Sequence, residues 1–379
     1  MALTTQVPAR VSLVQAVAGF AGLVLQSFRA QWYFFVVPVL FLLFNEVVLF
    51  GVHRPVQASA SALVMSIFTL TLPAALFALF IARLIQFACV IKPESPIRAL
   101  IGDVKRLATS PARLANGLPV LVAMILFNKA VLELKPAIPL VKPFSWDVTF
   151  MELDRMLHFG VDPWRLLQPL LGHDAITFAF NLVYNFWFLA LFGLWFWFGF
   201  KPDTSLLRLR FFISYMIGWF MGGGVLALYF SSAGPCYYSL IGLSPDPFQP
   251  LMAYLYDVNT RLPIWALDAQ QLLWDGYTGK FQPVGISAFP SMHNTMATIF
   301  ALVGWRMHKS LGIIFTAYAG LILVGSVHLG WHYAVDGYAG IVIALAAWWV
   351  AAPLARWAHG LAATQAWDAK LAEERPLVS

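Results

Sequence analysis

Val327-His328-Leu329-Gly330-Trp331-His332-Tyr333-Ala334-Val335-Asp336-Gly337 stands at the mouth of an apolar run, 333–356. A helix needs about 20 consecutive apolar residues to cross the hydrocarbon core of a bilayer, and this run supplies them. His332 and Asp336 are four residues apart at the start of that helix, so they share one face. The stretch therefore sets ionisable side chains at one edge of a membrane.

Composition agrees with a membrane protein. The 379 residues are 60% hydrophobic and 11% charged, against about 25% charged in soluble proteins. Fifteen Trp and 32 Phe suit lipid-facing helices with aromatic belts at the interfaces. The net charge is +6, but no basic run is long enough to bind nucleic acid, and positively charged inner loops explain the excess. Spans are predicted at 31–50, 59–82, 117–133, 176–200, 211–230, 291–307, 311–328 and 333–356. The expected fold is an all-α polytopic membrane bundle of about eight transmembrane helices. Val11 to Phe28 is apolar but interrupted by Gln15, Gly19, Gly22 and Gln26, and reads as an interfacial helix. Three regions follow. Residues 1–116 hold that helix, two spans and a basic cytoplasmic loop. Residues 117–357 form a six-helix membrane domain, and 358–379 a polar cytoplasmic tail.

Orientation follows the basic residues. With the N-terminus inside, the inner loops gather Lys92, Arg98, Lys105, Arg106 and Arg113, then Lys201, Arg208 and Arg210, then Arg306 and Lys309. The outer loops mix their bases with acids such as Asp147, Glu152, Asp154 and Asp162. Two outer loops, 134–175 and 231–290, are long and rich in Pro, Gly and aromatics. Long ordered loops usually carry function, and this apolar content suggests a lid packed on the membrane face. Cys89 and Cys236 fall on opposite sides of this topology, which excludes a bridge.

The chemistry starts from His332. A carboxylate one helical turn away accepts an imidazole N–H, fixes the tautomer, leaves the other nitrogen free and stabilises the cation formed on attack. Phe289-Pro290-Ser291-Met292-His293 adds a second histidine on the same predicted face. Pro favours a first helical turn, and backbone N–H groups at a helix start attract anions. A histidine there is placed to protonate a departing alkoxide.

Pro290-Ser291-Met292-His293 resembles the P-S-x-H motif of the type 2 phosphatidic acid phosphatase superfamily. Val327 to Asp336 resembles the body of its third motif, S-R-x-x-x-x-x-H-x-x-x-D. The resemblance implies a six-helix catalytic core in which His332 is the nucleophile that forms a phosphohistidine, Asp336 orients it, and His293 is the leaving-group acid. Ser291 would help hold the phosphate. The third-motif arginine falls on Ser326 and its preceding serine on Gly325, so the guanidinium that clamps a phosphomonoester is missing and Ser326 stands in its place. The first motif, K-x-x-x-x-x-x-R-P, is approximated by Lys135 to Lys142-Pro143, with Lys142 for arginine, which would put Lys135 and Lys142 on phosphate. Loss of the arginine with H-Y-x-x-D kept is more similar to the lipid phosphotransferase branch of inositol phosphorylceramide and sphingomyelin synthases. Ala288-Phe289-Pro290-Ser291-Met292-His293 and Ser232-Ala233-Gly234-Pro235-Cys236-Tyr237 resemble segments of the former. The implied reaction is ping-pong transfer of a head group between lipids. It needs a phospholipid or lipid-phosphate substrate, a lipid acceptor, and neither cofactor nor metal. The topology sets the site on the periplasmic, extracytoplasmic or luminal face. A lipid phosphate phosphatase is the alternative.

Two other readings stay open on the residues alone. His328, His332 and Asp336 would line one face of an unbroken helix as a metal triad, although Gly330 argues for a break. Glu46, Lys129 and Glu133 are ionisable groups within apolar segments, as in transporters. Lys129 and Glu133, four apart, also read as an ion pair, and Asn128, Asn181 and Asn185 as glue between helices. Oligomeric state is left open.

Overall fold

A computed structural model describes residues 13–52, 69, 72–108, 110–280 and 284–373. Its helices, in chain order, are α1 (Leu13–Ala30), α2 (Val36–Val48), α3 (Leu72–Gln86), α4 (Pro96–Ala108), α5 (Pro111–Leu134), α6 (Asp147–Leu157), α7 (Pro163–Leu171) and α8 (Asp174–Gly199). They continue as α9 (Leu206–Gly218), α10 (Gln249–Asn259), α11 (Trp265–Tyr277), α12 (Met292–Met307), α13 (Lys309–His328), α14 (Ala334–Gly360) and α15 (Ala362–Glu373). The chain is a helical membrane bundle. Six segments among the described residues are long and apolar enough to cross a bilayer: Leu13–Ala30, Pro111–Val141, Asp174–Gly199, Leu206–Tyr229, Lys309–His328 and Ala334–Gly360.

The expected spans shift in instructive ways. Residues 31–50 and the described part of 59–82 form shorter apolar helices, Trp32–Val48 and Leu72–Gln86, and the start of the latter span lies outside the described residues. The span expected at 291–307 is the 16-residue α12, which is mostly buried. Its small and polar residues pack against protein on several sides instead of facing lipid. Leu13–Ala30, read as interfacial because of its scattered polar residues, passes on length and composition. It packs along α5.

The core of the site is the α12–α13–α14 unit. α12 and α13 are joined through His308 alone and run as a tight hairpin, while α14 packs on α12 and α9. The α12–α14 crossing depends on one missing side chain. A Cβ on Gly340 would sit 2.5 Å from the Ser291 carbonyl oxygen and 3.0 Å from Thr295 Oγ1.

At the far end from the histidines, Arg208 is fully buried. It donates to the Phe198 carbonyl (2.8 Å), Gln31 Oε1 (2.7 Å) and the Asn116 carbonyl (3.1 Å). Trp367 Nε1 donates to Asn116 Oδ1 (2.8 Å) and Thr364 Oγ1 to the Ala30 carbonyl (2.8 Å). The expected polar tail is thus a helix, α15, docked on the bundle. A buried guanidinium is tolerated only when its donors are satisfied, and here carbonyls from separate helices do this.

The two long connections lie together at the histidine end. Residues 134–175 form α6 and α7, and 231–290 form α10 and α11. They are stitched by Ser145 N to Ser231 O (3.0 Å) and Trp146 N to Ser231 O (3.3 Å). Gly340→Ala is expected to destabilise the protein by about 1–3 kcal/mol, because backbone rather than a flexible side chain blocks the new methyl. Gly320→Ala, where nothing lies within 4 Å, is the control and should not lower Tm. Equal melting of the two variants in detergent would show that the crossing can open.

Candidate active site

His332 lies in the short connection between α13 and α14. Gly330 turns the chain there with φ +74°, a conformation glycine adopts without strain. The Ser326 carbonyl then accepts the backbone N–H groups of both Trp331 (3.0 Å) and His332 (3.1 Å). Tyr333 is the N-cap of α14, and Asp336 Oδ2 reaches back to accept its N–H at 3.0 Å. The same oxygen faces His332 Nδ1 at 3.3 Å. With Asp336 as the acceptor, Nδ1 carries the proton, and the His332 ring also lies within hydrogen-bonding reach of the Ala288 backbone. Asp336 is fully buried and His332 is 8% exposed. Burial, reinforced by the nearby Lys135 ammonium, holds the His332 imidazole down to about 3. It is therefore neutral near pH 7, the form in which a histidine is a nucleophile.

His293 is the second residue of α12. Its ring lies 6.4 Å from that of His332, centroid to centroid. It stacks on Tyr184 (4.6 Å) and lies against Trp187 (4.4 Å), whose Nε1 donates to the His293 carbonyl at 3.1 Å. Two aromatic side chains of α8 thus fix the ring from behind. Both imidazoles open on one cavity of about 360 Å³, whose walls include Trp219, Trp265 and Trp331. Lys135, at the end of α5, lines the same cavity and is close enough to act electrostatically on both rings.

The other residues singled out in the sequence lie elsewhere. Lys142 donates to the Tyr229 carbonyl (2.6 Å) and sits over the Tyr229 ring (4.6 Å), off the cavity wall. The turn after Val141 sends the two lysines in different directions. Ser291 is buried as the N-cap of α12, and its Oγ accepts from Asn294 N (3.4 Å) and Nδ2 (3.0 Å). Ser326 is also buried; its Oγ donates to the Leu323 carbonyl (2.8 Å) and accepts from Asn294 Nδ2 (3.4 Å). Neither hydroxyl lines the cavity.

His328 faces away from His332, with Nε2 2.9 Å from Thr177 Oγ1 on α8. The metal triad is therefore not assembled, and no group of three His, Cys, Asp or Glu among the described residues is spaced for a metal. Lys129 and Glu133 pair with each other on α5. Asn181 ties α8 to the start of α11, accepting from Ala266 N at 3.1 Å.

Sequence reasoning missed the partners that hold the His332 segment. Asp147 and Asp154 of α6 were counted only as outer-loop acids. Asp147 accepts from Ala233 N (3.0 Å), Gly234 N (2.8 Å) and Tyr333 Oη (3.0 Å). Asp154 accepts from Ala334 N (2.8 Å) and Val335 N (2.9 Å). Their spacing of seven, which puts two acids on one helical face, was the available signal. Gln270 of α11 was also unforeseen; it donates to the Leu329 carbonyl at 2.9 Å.

Neither the curated proteins nor the solved structures contain a match to this chain. A family model does match, across α6 to α14 and so across both histidine segments. The match, described as PAP2 superfamily, runs over residues 148–350, more than half of the chain, and the protein belongs to that superfamily.

Proposed function

We propose that the protein is an integral-membrane lipid phosphotransferase that works through a phosphohistidine on His332. Its superfamily and its membrane bundle support a lipid phosphatase or phosphotransferase kind of activity. The observation that carries the finer reading is the cavity itself. Two imidazoles, one of them backed by a carboxylate, face a mostly apolar, aromatic-rich chamber whose wall, among the described residues, holds a single lysine or arginine, Lys135. A phosphodiester brings one negative charge and a phosphomonoester nearly two. One ammonium suits the diester.

The steps follow from the geometry. His332 Nε2 attacks phosphorus and the bond to the lipid alcohol breaks. Burial, with His332 and Lys135 nearby, holds His293 in the empty site well below its ordinary value; it takes up a proton as the anion binds and gives it to the departing oxygen. An acceptor hydroxyl then loses its proton to the now neutral His293, its oxygen attacks phosphorus, and the phosphorus–nitrogen bond breaks. His332 is restored. A near-attack distance of about 3–3.5 Å plus a hydrogen bond of about 2.6–3.2 Å is compatible with ring centroids 6.4 Å apart. Asp336 holds the charge that develops on His332. The aromatic walls accept the apolar part of both alcohols. The positive-inside pattern supports a site on the extracytoplasmic or luminal side.

His332→Ala is expected to abolish both turnover and an acid-labile phosphoenzyme. His293→Ala should slow transfer from an aliphatic alcohol by about 10²–10⁴ and spare an ester with a good leaving group. Turnover by His332→Ala at the wild-type rate would remove the mechanism.

Purified protein given a phosphodiester lipid with ceramide or diacylglycerol should make a new head-grouped lipid, while phosphatidic acid alone should release little phosphate. The reverse outcome would make it a phosphatase.

The depressed imidazole also links to stability. The His332 value in the folded state lies below the ordinary one near 6.5, so its contribution is complete above about 6.5 and is lost as pH falls toward 3. Chemical denaturation from pH 7.5 to 4.5 should therefore show the wild type losing stability faster than His332→Gln. Parallel curves would mean that the ring is not buried neutral.

A further inference from the structure

α6 buries two carboxylates. Its buried face carries Asp147, Phe150, Met151 and Asp154, while Val148, Thr149, Glu152, Met156 and Leu157 are exposed. A mixed outer face with apolar side chains suits a helix lying at a membrane surface. Carboxylates on the inner face are unfavourable unless hydrogen bonds compensate them. Their donors come from two segments only. Ala233 and Gly234 belong to one cavity wall; Tyr333, Ala334 and Val335 are the three residues that follow His332.

We propose that Asp154, seconded by Asp147, is a positioning residue that sets the depth and angle of His332 in the cavity. Asp154 takes the first two N–H groups of α14, one with each carboxylate oxygen, which fixes both the position and the rotation of that helix about its axis. Rotation matters because Asp336 sits in the same first turn and must meet His332 Nδ1. Asp147 fixes the Tyr333 side chain between them. α6 is itself braced: the Phe150 ring stacks on that of Phe289 (4.5 Å), and Arg155 forks onto Asp162 (2.7 and 3.1 Å). The anchor thus runs from α6 through three hydrogen bonds to the segment that follows the imidazole, while neither acid needs to touch substrate.

The proposal rests on His332 being the reacting group, so its test has one arm that needs no turnover. Diethylpyrocarbonate modifies neutral imidazoles, and peptide mass spectrometry reads His332 against His293 in the same full-length protein. In Asp154→Ala the ratio of His332 to His293 modification should rise about threefold or more as the loop loosens, and kcat for lipid transfer should fall about tenfold to a hundredfold, the scale of a misplaced reacting group. KM should stay within about twofold, since no substrate contact is lost. Asp154→Asn keeps one acceptor and should restore part of both effects. Tyr333→Phe removes only the bond to Asp147 and keeps the fold testable should Asp154→Ala not assemble; a smaller change of the same sign is expected. An unchanged modification ratio in Asp154→Asn and Tyr333→Phe, or equal gains at both histidines, would overturn the positioning role. A changed ratio with no loss of transfer would leave the positioning intact and overturn His332 as the nucleophile.

Discussion

One carboxylate oxygen holds the chemistry to the fold. Asp336 Oδ2 accepts the Tyr333 N–H and faces His332 Nδ1, so the bond that starts α14 and the bond that orients the His332 imidazole share an atom. An N-cap interaction is worth about 1 kcal/mol by itself. Here it does more than stabilise a helix, because any drift of the first turn moves the imidazole's partner. This explains why so much of the surrounding structure is devoted to that turn. The Ser326 carbonyl gathers two N–H groups before it, and Asp154 gathers two after it. Gly340 lets α12 approach within backbone contact one turn further on.

The helical membrane class was legible because about 20-residue apolar runs have few other homes. The two histidine segments were legible because their spacing has chemical meaning. Residues between elements were harder. Lys135 and Lys142 look alike in sequence, and only the turn after Val141 separates a cavity wall from the Tyr229 carbonyl. α12 reads in sequence as a short span, tilted or partly buried, and it is short and enclosed by protein, with Ser291, Asn294 and Thr295 on buried positions. The interfacial reading of Leu13–Ala30 weighed scattered polar residues against length. The structure lays the helix along α5, where Ser27 receives the Gln31 amide, so one of those polar residues is internal glue. Asp147 and Asp154 share a helical face by their spacing of seven, but spacing does not tell a buried acid from a solvated one. All their donors but the Tyr333 hydroxyl are backbone groups, which leave no trace in residue identity.

Ser326 shows how a lost motif residue is absorbed. Where the superfamily pattern has arginine, this chain has a buried hydroxyl bonded to Leu323 and Asn294. Asn294 also donates to Ser291, so one amide joins the start of α12 to the end of α13. A closed neutral network of this sort is stable in a low-dielectric setting, whereas a guanidinium there would need an anion at all times. The empty enzyme is therefore relieved of an unpaired charge close to the two imidazoles.

That relief has a consequence for substrate choice. Without a guanidinium at position 326, Lys135 is the one lysine or arginine among the described residues that line the cavity. A dianion transferred from water into an aromatic chamber would keep one charge uncompensated, and charges buried without partners are strongly unfavourable. A monoanionic diester leaves none. Its lipid alcohol is apolar, as is that of a lipid acceptor, and the chamber offers aromatic surface from α8, α11 and the His332 loop. Charge balance and wall chemistry thus both support the diester reading proposed above, each on a separate ground.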